Sequence, residues 1–140
     1  MRIISTRLSA AVVLCLALVP GVSAHHSQSE YDLRAKVDVA GVVTRVDWRS
    51  PHAWVYVDVT NDKGEKVNWG FELPSPTTLM RRGWTRDSLK PGDRVSVSAA
   101  PARNFPAIAI ANFIRDGNGK AVFTGTTQIH EPEAESQGPR

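Results

Sequence analysis

The chain has 140 residues, 17 Lys and Arg against 14 Asp and Glu for a formal charge of +3, and a single cysteine. That length makes one domain. The near-balance of charge argues against nucleic acid, whose binders carry a larger, clustered basic surplus, and one cysteine excludes an internal disulfide, so stability must come from a packed core.

Arg2 and Arg7 precede an apolar run from Leu8 to Val19 that only Ser9 interrupts, and Val22-Ser23-Ala24 follows with small residues. This is the layout of a secretory signal over residues 1–24, too short and wrongly flanked for a stop-transfer span. The expected location is periplasmic or secreted. Cleavage after Ala24 leaves 140 − 24 = 116 residues beginning with a free amine on His25, and 17 − 2 = 15 basic residues against 14 acidic, a balance of +1. Cys15 follows Leu14 rather than a small residue, so no lipid anchor is expected and the mature chain has no thiol.

Residues 25–35 read as an extended N-terminal segment. Lys36 to Trp48 is the first strand pattern, and its two apolar parities around Gly41 predict a bend or bulge there. Ser50-Pro51 breaks it. Ala53 to Thr60 alternates, with Val55, Val57 and Val59 on one face and Trp54, Tyr56 and Asp58 on the other. Asn61 to Gly64 is a hairpin turn, and Val67, Trp69, Phe71 and Leu73 mark a third strand. Ser75 and Pro76 start a helix that Gly83 ends, with a further helical turn or loop over Thr85 to Lys90. Leu89-Lys90-Pro91-Gly92-Asp93 launches a fourth strand, Arg94 to Ala99. Ala107 to Arg115 is a fifth, and Ala121 to Thr124 a short sixth. The domain is placed at 36–128, and residues 129–140, polar and without apolar period, are expected to be a disordered tail. The fold class is mainly β, a small OB-like barrel of five to six strands with one short helix between strands 3 and 4. A six-stranded sandwich would use the same strands.

Four histidines occur: His25, His26, His52 and His130. An N-terminal histidine can chelate copper through its amine and its ring, and a further imidazole would complete a three-nitrogen site. His52, held in a loop between strands, is the candidate for that nitrogen, with His26 assisting; His130 falls in the tail. Cleavage after Ser23 would instead place His26 third, beside backbone amides that can enclose square-planar copper or nickel. The competing reading is structural: a polar mature start, and a His52 that caps a turn or bonds a carbonyl. The spacing has none of the regularity of a zinc motif.

Trp54 and Tyr56 are the candidate ligand- or partner-binding residues, since aromatic rings on a barrel face can stack a sugar or a base. Against that, tryptophans also fill the core of a chain without disulfides. Arg81, Arg82 and Arg86 complement the negative end of the helix dipole. Nothing in the spacing brings any two of Asp58, Glu72 and Asp93 together as a catalytic pair. No phosphate loop, nucleophile elbow or His/Cys arrangement occurs, so the chain is not expected to be an enzyme by itself.

In order, Ala24-His25-His26-Ser27, Gly41 to Trp48, Ser50-Pro51-His52-Ala53-Trp54, Asn68 to Glu72, Arg82-Gly83-Trp84 and Leu89 to Asp93 resemble a family of small exported bacterial proteins of unknown function. The resemblance covers the mature chain to about Gly125 and implies an exported β-barrel-like domain without an established activity. The family pattern includes the histidines carried here by His25, His26 and His52. Asn104-Phe105-Pro106-Ala107 departs from a more polar, Gly-containing hairpin, which opens the register of the fifth strand. The expected function is a periplasmic binding or accessory protein that takes copper through His25, His26 and His52. The alternative is a metal-free module that docks on a partner protein or saccharide through Trp54 and Tyr56. Neither uses nucleic acid or a membrane span.

Overall fold

The computed structural model describes residues 30–125. The leader, His25, His26, His130 and the C-terminal tail lie outside the described residues. The elements run β1 (Val37–Asp47), β2 (Trp54–Thr60), β3 (Lys66–Glu72), α1 (Pro76–Arg81), β4 (Arg94–Pro101), β5 (Ile108–Asp116) and β6 (Ala121–Thr124).

β1 is long enough to serve two neighbours. Its first half pairs antiparallel with β4, from Val37 opposite Ala99 to Val42 opposite Arg94, and its second half pairs with β2, from Val42 opposite Asp58 to Asp47 opposite Trp54. β3 then pairs in parallel with β5, Gly70 with Ile108 through Glu72 with Ile110. These ladders close β3-β2-β1-β4-β5 into a five-stranded barrel, with β6 added to the edge of β5. Closure removes free sheet edges, and this strand order with a helix between β3 and β4 is that of an OB-like barrel.

The alternation in β2 sends Val55 and Val57 into the interior, fully buried beside Val43, Phe71 and Ile114. Ser75 caps α1 by accepting the Thr78 amide at 3.3 Å, and Gly83, at φ +87°, ends it. The helix buries Leu79 on the barrel, and Trp84 follows it in, edge-on to Phe123 and donating its indole N–H to the Val122 carbonyl at 2.8 Å. Trp48 and Trp69 pack against this core, while Trp54 points outward with Tyr56. The core-filling reading therefore holds for three of the tryptophans and fails for Trp54.

Two local expectations change. The irregularity in β1 falls between Val43 and Arg45 rather than at Gly41. Gly41 instead permits a close approach, since a Cβ there would lie 2.1 Å from the Asp58 carbonyl oxygen. Thr85 to Lys90 take the loop alternative, as turns and bends. β5 begins one residue later than expected, after Ala107 at φ +56°, and its pairing with β4 shifts between Ser98 and Ala99. No helix among the described residues is long and apolar enough to cross a membrane.

Candidate functional site

The β1–β2 loop carries a cis Ser50–Pro51 bond and delivers His52 to the end of β2. Across the strand pair, Glu72 sits opposite Trp54, on the outward parity of β3. Outward residues are normally wet, yet Glu72 is only 6% exposed. A carboxyl buried that far needs partners. It has two: His52 Nδ1 lies 2.6 Å from Oε1, and the Tyr31 hydroxyl donates to Oε2. Burial first, and the neighbouring Glu72 second, hold the Tyr31 phenol well above its ordinary pKa, so it remains a neutral donor.

Tyr31 belongs to the strap that leads into the barrel. It bridges to Ala102, the Asp32 amide donates to the Pro101 carbonyl at 2.8 Å, and the Arg103 amide donates to the Glu30 carbonyl at 2.9 Å. The strap is therefore fixed to the end of β4 and to the loop after it, beside His52. Together these elements wall a cleft of about 480 Å³, within the range of small-molecule sites, roughly 300–1,000 Å³. Trp54 and Tyr56 line it, their rings stacked at 6.3 Å between centroids and 24° between planes. The Arg45 guanidinium lies 4.0 Å over the Tyr56 ring, and Asp47 pairs with Arg45 at 3.3 Å and Arg49 at 2.9 Å. Phe105, 61% exposed, stands at the rim on the β4–β5 loop.

His52, Trp54 and Tyr56, singled out from sequence on separate grounds, thus share one cleft. Among the described residues no three His, Cys, Asp or Glu side chains gather as a metal cluster, so His52 has no complete ligand set there. Sequence reasoning missed Glu72 and Tyr31 as site residues. Their signal was an acid inside the apolar run Phe71-Glu72-Leu73, at a position whose strand partner is aromatic.

Residues 12–110, more than half of the chain, match a family of unknown function, DUF6152. The chain belongs to this family. No curated protein matches the sequence. Among solved structures, the mitochondrial single-stranded DNA binding protein Rim1 of S. cerevisiae is 11% identical at a TM-score of 0.45, covering 59% of this chain and 92% of that one. A chain of the S. pombe Stn1-ten1 complex is 17% identical at 0.41, covering 58% and 57%.

Proposed function

We propose that this member of the family is an exported periplasmic accessory protein, not an enzyme by itself, that binds copper through the mature N-terminal His25, with His26 assisting, and through His52. The observation that supports the reading is the His52–Glu72 pair. Histidines that ligate a metal commonly donate their other ring N–H to a carboxylate, which fixes the tautomer and the ring plane. With Nδ1 committed to Glu72, a metal would be taken by Nε2. The strap supplies the second support. Tyr31 is six steps along the chain from His25, and an extended chain covers about 3.3–3.6 Å per step, or roughly 20 Å in all. Tyr31 reaches the same carboxylate as His52, so either N-terminal histidine can arrive at that ring without disturbing the barrel.

The test is a titration of the mature chain starting at His25 with Cu(II), followed by electron spin resonance. One equivalent with nitrogen-dominated hyperfine structure is expected, and His52→Ala and a form with one residue added ahead of His25 both lose affinity. Equal uptake by all three proteins overturns the reading.

A further inference from the structure

We propose that the floor of this cleft binds a neutral saccharide, one pyranose ring lying against Trp54, with Tyr56 backing that ring from beneath the Arg45 guanidinium. The inference goes beyond the metal reading and does not require a metal. The floor is built by register: Trp54 and Tyr56 are outward neighbours on β2, and the residue opposite Tyr56 on β3 is Gly70. A Cβ at Gly70 would lie 2.9 Å from Ile108 Cδ1, 3.3 Å from Tyr56 Cε1 and 3.6 Å from Trp54 Cε3. The missing side chain lets both rings settle onto the sheet, Tyr56 under Arg45 and Trp54 beside it as the apolar surface, with Phe105 at the rim.

The wall chemistry narrows the ligand class. A polyanion would find no surplus of positive charge: the guanidiniums of Arg45 and Arg49 are both paired with Asp47, and Glu30 and Glu72 add further carboxylates to the lining, unlike the basic groove that tracks a phosphate backbone. An organic cation would seek an aromatic face, but the Arg45 guanidinium over Tyr56 already places positive charge beside the Trp54 ring. A wholly apolar ligand would strip water from the polar rim without replacing its hydrogen bonds. Asp47 is held by two arginines and Glu72 by Tyr31 and His52, so the rim offers fixed donors and acceptors with its charges paired internally. A sugar ring matches both parts: its C–H face suits the aromatic floor, and its hydroxyls suit the rim.

Calorimetric titration of the metal-stripped mature protein with maltohexaose, cellohexaose and chitohexaose, and with a dT12 oligonucleotide, tests this. At least one hexaose binds with Kd on the order of 0.1–1 mM and dT12 binds more weakly. Trp54→Ala weakens that hexaose about tenfold or more. Phe105→Ala, on an exposed loop where folding is not at stake, weakens it about threefold, so the idea stays testable if the tryptophan variant fails to fold. Absence of binding by every hexaose, tighter binding of dT12, binding only when copper is present, or indifference to Phe105→Ala overturns the proposal. Copper uptake is measured separately, so failure of the metal reading leaves this result untouched.

Discussion

Replacing Tyr31 by Phe removes one hydroxyl and nothing else, and the structure says what that hydroxyl does. It donates to a Glu72 carboxyl that has almost no water around it. Hydrogen bonds to charged groups contribute about 1.5–3 kcal/mol, and a buried acceptor left short of a donor keeps its desolvation cost. For a domain of this size each kcal/mol moves Tm by about 4–8 °C, so Tyr31→Phe should lower Tm by roughly 6–24 °C. The alkaline limb gives an independent check. The folded-state pKa of Tyr31 is raised, so its contribution is complete below the unfolded value of about 10 and is lost as pH rises above it. The unfolded chain there releases a proton that the folded chain retains, which costs up to ~1.4 kcal/mol of stability per pH unit. The variant lacks that share of the slope. Calorimetric or circular-dichroism melts at neutral pH and from about pH 9 to 11 read both effects. A Tm within about 2 °C of wild type, or an unchanged alkaline slope, would refute the placement of Tyr31 on Glu72.

Glu72→Leu should release His52 from a fixed tautomer: in long-range proton–nitrogen NMR spectra the neutral ring of the wild type carries its proton on Nδ1, and the variant shows a mixture. Gly41→Ala forces a Cβ to within 2.1 Å of the Asp58 carbonyl oxygen and should cost at least about 3 kcal/mol in denaturant unfolding by parting β1 from β2. Asn112 is buried, and neither side-chain amide atom has a hydrogen-bond partner among the described residues. Asn112→Ala should therefore cost under about 1 kcal/mol, because an uncompensated desolvation penalty disappears with the lost packing. Ile114→Ala, equally buried on the same strand, should cost about 2–5 kcal/mol in the same urea melts.

The barrel was legible because its local signals agree. Strict alternation over Val55 to Val59, the Ser75-Pro76 start and Gly83 stop of α1, and the turn at Asn61 to Gly64 each report on a few neighbouring residues. Those residues behave as their local chemistry dictates. Closure was legible only as a choice between barrel and sandwich, because the parallel pairing of Gly70 with Ile108 joins segments far apart in sequence. The site was half legible for the same reason. His52, Trp54 and Tyr56 stand close together in the chain and were read as candidates. Glu72 and Tyr31 reach them only through the β2–β3 register and the strap across Ala102. Asp58 was correctly left outside any carboxylate pair, since its partner is the Asn68 amide at 2.7 Å.

The strap has a practical consequence for anyone producing this protein. Its first described residue, Glu30, already lines the cleft mouth, tied there through its carbonyl to the Arg103 amide. Foreign sequence fused upstream would be tethered at the doorway of the cavity and compete with whatever enters. An affinity handle belongs at the opposite terminus, or must be excised before any titration.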